Sequence, residues 1–351
     1  MFRFNKMIAL IILMLFSNLL LAGCGNKNDE VKETLKIGIT MYDEFDPFTN
    51  KIAEKVQDKL YELAKENDVT VVCNVTFSNK SQMKQNDQVS EFIRKGYDVI
   101  CVNLADRTDA MQIIDMAKNA NVPIVFFNRE LVKEDLARWD KLYYVGARPE
   151  ESGQLQGQIV INALNDAARF EQIDFNHDGK IQYVMLEGEA GHQDALIRTK
   201  LSVETIENAG YEMEKFGDEI CNWNREQAAT RMTSLLAGHP WQIELVLAND
   251  DNIALGAYDA LKTYGVPMMP LIVGVNGDDE VFELIEDGKI EGTVYNDAFT
   301  KGDTIGRMAF SLASDMTLPS DIKPIDGKYV YVPYCLVDRT NVNTYLEKAV
   351  Y

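Results

Sequence analysis

Positive charge is scarce: the 351 residues carry 35 Lys and Arg against 55 Asp and Glu, a formal net charge of −20. Such a surface repels phosphate backbones, and with no basic run in the chain nucleic-acid binding is excluded. Histidine is scarcer still, with three residues, and none belongs to an HExxH pair. No GxGxxG follows an apolar run and no GxxxxGK[ST] occurs, so the phosphate cradles of nucleotide enzymes are missing. Five cysteines are present, but none forms a CxxC pair. Cys73, Cys101, Cys221 and Cys335 are too scattered for a zinc site or a small disulfide scaffold. Three of these lie in strand-like runs (VVCNV, VICVNL, VPYCLV), which predicts buried free thiols. Beyond the amino terminus no run is long and apolar enough to span a bilayer.

What is present begins with a leader. Arg3 and Lys6 precede IALIILMLFSNLLLAG, and residues 1–23 read as a secretion signal rather than as fold. Leu21-Ala22-Gly23-Cys24 resembles a bacterial lipoprotein processing box, in which Cys24 is lipidated and becomes the first mature residue. Residues 24–34 then read as a polar tether. Lipid on Cys24 would hold the protein at an extracytoplasmic membrane surface, at the cell surface or in a periplasm, without spanning the bilayer.

The remaining chain exceeds the ~250–300 residues at which a single core stops growing, so two domains are expected. Short apolar runs alternate with amphipathic stretches. LKIGITMY precedes a segment that places Ile52, Val56, Leu60 and Leu63 on one helical face; VTVVCNV, DVICVNL and VPIVFFN follow, each separated by a helical pattern. A second series runs from YYVG through a helix at about 150–169, then IQYVMLEG, IELVLAND, LIVGVNG and GTVYND with helices between. Strand and helix in turn argue for right-handed βαβ units and buried parallel sheets, one per lobe.

In open α/β sheets ligands bind beyond the carboxyl ends of the strands. Those positions hold Asp46 and Phe48, Asn103, His192 with Asp194 and Arg198, Asp250, Asn276 and Asn296, with Trp223 in a loop before another helix. Carboxylates, amides and a guanidinium satisfy sugar hydroxyls from both sides, while aromatic rings cover the apolar C–H faces of a pyranose. Each residue also has a plainer reading. Asn and Asp at strand ends cap helices, Asp194 and Arg198 have the spacing of a helical ion pair, and Phe48 and Trp223 suit a core. The ligand reading rests on their convergence.

DFNHDGKIQ, residues 174–182, places Asp174, Asn176 and Asp178 at positions 1, 3 and 5 of an EF-hand-like loop. Gly179 follows at 6, the Lys180 carbonyl at 7 and Gln182 at 9. Position 12 is Met185, so a carboxylate from elsewhere must complete a calcium site: Glu244 in IELVLAND or, locally, Glu187. A metal-free Asp/Asn/Gly turn is the alternative.

NKSQMKQNDQ, VPIVFFNRE, YYVGARPEESGQLQG, DFNHDGKIQYVMLEGEAGHQDALIRT and GTVYNDA together resemble the galactose/glucose-binding branch of the ribose-binding-type periplasmic proteins, over nearly all of the chain. The resemblance implies an α/β fold of two doubly wound parallel-sheet lobes joined by a three-crossing hinge, the type I periplasmic-binding fold. It puts residues 35–128 plus 297–326 in one lobe and 129–296 plus 327–351 in the other. It implies a monosaccharide, galactose or glucose, held by Asp46, Phe48, Asn103, His192, Asp194, Arg198, Trp223 and Asn296, with Phe48 and Trp223 sandwiching the ring. Asp174, Asn176, Asp178, Lys180, Gln182 and Glu244 would ligate structural Ca2+. Two positions depart: Asp250 stands where the pattern has asparagine, and Asn276 where it has aspartate, which leaves the choice between the two sugars open. The implied partners are the permease subunits of an ABC importer, or a chemoreceptor or sensor kinase if the role is chemotaxis or sensing, and a monomer is expected. A glycosidase would need two free carboxylates. Arg198 would instead hold a neighbouring carboxylate ionised, and no nucleophile has an adjacent base, so the chain is read as a binding protein and not an enzyme.

Overall fold

The computed structural model describes residues 34–349; the leader, Cys24 and all but the last residue of the tether lie outside the described residues. Within them two six-stranded sheets form. The first contains β1 (Thr34–Met41), β2 (Thr70–Phe77), β3 (Val99–Val102), β4 (Ile124–Phe127) and β5 (Leu142–Gly146). The second contains β6 (Lys180–Glu187), β7 (Glu212–Ile220), β8 (Leu245–Ala248), β9 (Leu271–Asn276) and β10 (Gly292–Tyr295). Two short strands are exchanged late in the chain: β11 (Tyr329–Tyr331) joins the first sheet and β12 (Cys335–Asp338) the second. The orders are β11-β5-β4-β3-β1-β2 and β12-β10-β9-β8-β6-β7. All pairs are parallel except β10 with β12, an antiparallel edge.

Alternate residues of the central strands serve opposite faces, as a period of two requires. Val99 and Cys101 of β3 join one core cluster of the first lobe, Ile100 and Val102 the other. On β8, Val246 and Ala248 face one cluster of the second lobe, Leu245 and Leu247 the other. Both sheets are therefore covered on two sides, which explains their near-continuous apolar strands. In each sheet the strand order reverses once, between β1 and β3 and between β6 and β8. The carboxyl-end crevice at such a point is where this architecture holds ligands.

The chain changes lobe three times, after β5, β10 and β11, and two crossings depart from the expected boundaries. β5 pairs with β4, and β11 pairs with β5. The first crossing therefore follows Gly146 instead of falling at 129, and the third follows Tyr331 instead of 327. A strand-then-helix pattern does not state which sheet its strand joins. Packing decides: Tyr144 lies edge-on to Tyr329 and Tyr331, with centroids 6.1 and 6.0 Å away. The helix expected at about 150–169 also divides. Pro149–Leu164 ends and Ala167–Ile173 restarts because Asp166 accepts from the Ala168 and Arg169 amides at 2.9 and 3.2 Å. Cys73, Cys101 and Cys221 are buried free thiols, but Cys335 is exposed. It lies on the edge strand β12, where Val337 is the buried residue. No described helix is long and apolar enough to cross a membrane.

Candidate ligand site between the lobes

Nine of the ten singled-out residues line one cleft where the two sets of strand ends meet: Asp46, Phe48, His192, Asp194, Arg198, Trp223, Asp250, Asn276 and Asn296. The first lobe contributes the β1 end. Asp46 caps the helix Pro47–Glu66, accepting from Thr49 N at 3.1 Å through Oδ1, while its Oδ2 accepts from the Tyr42 hydroxyl at 2.6 Å. A carboxylate that caps a helix thus also lines the cleft. Phe48, on the first turn of that helix, lines the cleft and belongs to the first-lobe core.

The second lobe supplies most of the polar groups. His192 caps the helix Gln193–Asn208, its Nδ1 accepting from Asp194 N at 3.2 Å. Burial lowers its pKa to about 4 against the opposing pull of Asp194, so the imidazole is neutral at physiological pH. Its ring meets Trp223 edge-on, with centroids 5.1 Å apart. Gly188 is what seats that indole, since a Cβ there would lie 2.1 Å from the tryptophan ring. Arg198 is fixed on three sides: Nε donates to Ser152 Oγ at 2.9 Å, Nη1 to Asn249 O at 3.0 Å and Nη2 to Tyr334 Oη at 2.9 Å. Its separation from Asp194 is 3.4 Å. Asp250 caps Asp251–Tyr264 through Oδ1, accepting from Ile253 N at 2.8 Å, and Asn276 Oδ1 accepts from Asn296 Nδ2 at 3.2 Å.

Asn103 differs from expectation. It is wholly buried, but Oδ1 accepts from Tyr42 N at 3.4 Å and Nδ2 donates to Phe127 O at 3.2 Å. Its amide ties β1 to β4, because a strand-end amide wedged between two strand ends bonds to their backbone groups, here with one of its two N–H donors. Three lining residues went unselected in the sequence: Tyr42, Asn128 and Arg129. The strand-end rule finds all of them, Tyr42 after β1 and the Asn128-Arg129 pair after β4. The Arg129 guanidinium lies 3.9 Å from the Tyr42 ring centre and donates to Glu189 Oε2 of the other lobe at 2.6 Å. Its Nε is buried with no acceptor among the described residues, an orphan donor in the wall of the cleft.

Burial raises the pKa of Asp46, an effect opposed by the Tyr42 hydroxyl and the Thr49 amide, and raises that of Asp250 well above the carboxylate range, with Asp278 and Asp251 adding to it. Burial thus leaves two carboxylates with few donors and one guanidinium Nε without an acceptor among the described residues. A ligand bearing several hydroxyls satisfies both kinds of group at once.

The 174–182 loop curls on itself. Asp174 accepts from the Asp178 and Gly179 amides at 3.1 and 2.9 Å, Asp178 from Lys180 N at 2.9 Å, and Gln182 Nε2 donates to Asp178 Oδ2 at 2.9 Å. Glu244, 1% exposed, reaches it, accepting from Phe175 N at 2.5 Å and Gln182 N at 3.0 Å. Glu187 is turned away toward Asp218 and Thr199. No three acidic, His or Cys residues among those described gather as a metal cluster.

A family model described as a periplasmic binding protein domain matches residues 37–316. The chain belongs to the periplasmic binding protein family. Among its relatives, the D-galactose/methyl-galactoside binding periplasmic protein of Haemophilus influenzae is 33% identical over 89% of this chain and 92% of its own length. The ribose import binding protein of Bacillus subtilis is 23% identical over 82% and 84%. An ABC transporter solute binding protein from Bacillus halodurans, solved with myo-inositol, superposes with a TM-score of 0.75 at 24% identity. That match covers 91% of this chain and 99% of the other, and it speaks for the fold alone. Such a periplasmic binding protein is not an enzyme, and the His192–Asp194–Arg198 cluster is a set of fixed donors and acceptors, not an acid/base pair.

Proposed function

We propose that this protein binds a hexopyranose, galactose and/or glucose, outside the cytoplasmic membrane and delivers it to the permease subunits of an ABC importer. One observation carries the reading: carboxylates, amides, two guanidinium groups and the rings of Phe48 and Trp223, drawn from both lobes, line a single cleft. The name of the relative that is 33% identical points to the same class of ligand. Because groups of both lobes would bond to one small molecule, ligand favours the closed arrangement, and closure in turn presents a joined surface to a permease. The lipidated Cys24 would keep the protein beside that permease. The 174–182 loop would hold Ca2+ through Asp174, Asn176, Asp178, the Lys180 carbonyl, Gln182 and Glu244. Its support is the oxygen-rich donor set and the approach of a buried remote glutamate to the loop; the ion would serve stability, not ligand contact.

Titration calorimetry with galactose, glucose, ribose and myo-inositol tests the main claim. Saturable one-to-one binding of a hexopyranose, tighter than that of ribose, is expected. Failure of every sugar to bind would overturn the reading, while preference for ribose or inositol would move it to another polyol.

A further inference from the structure

Lys301, on the first turn of Ala298–Ala313, is 2% exposed. It lies directly behind the cleft, 5.3 Å from the Phe48 ring centre and 5.5 Å from that of Tyr334. Asp194 and Asp297 act on it only through space, with no hydrogen bond to either. Its ammonium donates instead to Asn296 Oδ1. A buried cation bonded to a neutral amide is costly to keep, and the arrangement has a consequence for the wall.

A charged ammonium donates and cannot accept. Asn296 must therefore turn its carbonyl oxygen toward Lys301 and its NH2 away. That NH2 donates to Asn276 Oδ1 at 3.2 Å. That bond turns the oxygen of Asn276 into the wall, and its NH2 is the end presented to a ligand. Shape alone does not distinguish the two ends of an amide; an ammonium at the head of the chain orients both.

We infer that Lys301 is a positioning residue for specificity: through Asn296 it fixes Asn276 as a hydrogen-bond donor, so the cleft selects monosaccharides that present an oxygen acceptor there. This rests on the sugar reading above. A ligand group that only donates, such as an ammonium, is rejected at that point. Burial lowers the pKa of Lys301 to about 7, opposed by Asp194 and Asp297 and reinforced by Arg198. Asp194 and Arg198 face it from Gln193–Asn208, Tyr334 from the third crossing, Phe48 from Pro47–Glu66, and Asp297 precedes its own helix. Once neutral, the amine both donates and accepts, and its hold on the amide polarity loosens.

The test is calorimetry with the parent hexose and its single deoxyamino and deoxyfluoro analogues. For the wild type, one ring position is expected at which the amino analogue binds at least about tenfold more weakly than the fluoro analogue, the scale of one buried donor left unpaired. Lys301→Met should shrink that ratio to about threefold or less, and Lys301→Arg should restore it. Asn276→Asp, which keeps the acceptor for Asn296 but turns a second acceptor on the ligand, should reverse the order. Wild-type affinity for the fluoro analogue, which itself does not titrate, should fall between about pH 6 and about pH 8.5, and the Met variant should lack that dependence. An unchanged ratio in a folded Lys301→Met, verified by thermal melting, would overturn the inference. If that variant does not fold, an unreversed order in Asn276→Asp overturns it instead. Loss of all binding by the wild type would overturn the sugar reading beneath it, whereas parent binding with unaltered ratios overturns this inference alone.

Discussion

Trp223 shows how much one side chain depends on its neighbours. It has a left-handed backbone at φ 60°, its ring meets His192 edge-on, and the missing side chain of Gly188 leaves the space its indole fills. These constraints hold the ring before any ligand arrives, so little conformational entropy is lost on stacking. If the cleft holds the proposed hexose, Trp223→Ala should weaken its binding by about 2 kcal/mol, roughly thirtyfold, the scale of an aromatic contact plus its buried area. Trp223→Phe should recover most of it. Calorimetry reads both, and equal affinity for the alanine variant would remove the stacking role. Gly188→Ala is expected to resemble Trp223→Ala although it deletes nothing, because it displaces the indole.

At the scale of the element, the strand termini explain what the sequence made legible. Apolar runs of four to eight residues followed by helical patterns identify where each strand stops, and the rule that ligands lie beyond strand ends then picks Asp46, His192, Asp250, Asn276 and Asn296 without coordinates. Asn103 stands at the strand end the rule picks, but its amide also bonds to Tyr42 N and Phe127 O; hydrogen-bond partners remote in sequence leave no local trace. Lobe membership of β5 and β11 was illegible for the same reason, since it depends on a tyrosine cluster assembled from residues 144, 329 and 331. The 174–182 loop is the opposite case. Its spacing is local and readable, whereas the sequence left its remote carboxylate between Glu244 and Glu187, and it is the β6–β8 pairing that brings Glu244 to the loop. If Ca2+ occupies that loop, a hundredfold excess of the ion over its Kd stabilises the fold by about 2.7 kcal/mol. Melting with and without chelator should show a higher midpoint in calcium, and Glu244→Gln should abolish the difference. An identical midpoint with and without calcium would count against an ion there.

For the whole molecule, the question is what holds two lobes together over a cleft. Among the described residues two ion pairs bridge them: Arg129 with Glu189 at 2.6 Å, and Lys51 with Asp278 at 2.9 Å. The first is mostly buried and involves a lining residue, so its loss would confuse contact with closure. The second lies outside the cleft lining, and the Lys51 side chain is 41% exposed. Solvent screens such a pair, which limits it to about 0.2–1 kcal/mol. That is enough to shift affinity by up to about fivefold if closure is part of binding. A double-mutant cycle of Lys51→Ala and Asp278→Ala should show a coupling of that size in ligand affinity at low salt. The coupling should vanish at about 0.5 M salt, where the screening length falls well below 10 Å. Affinity unaffected by either substitution would mean that the closed arrangement is held by the ligand and the hinge alone, with Lys51 and Asp278 meeting only as a result.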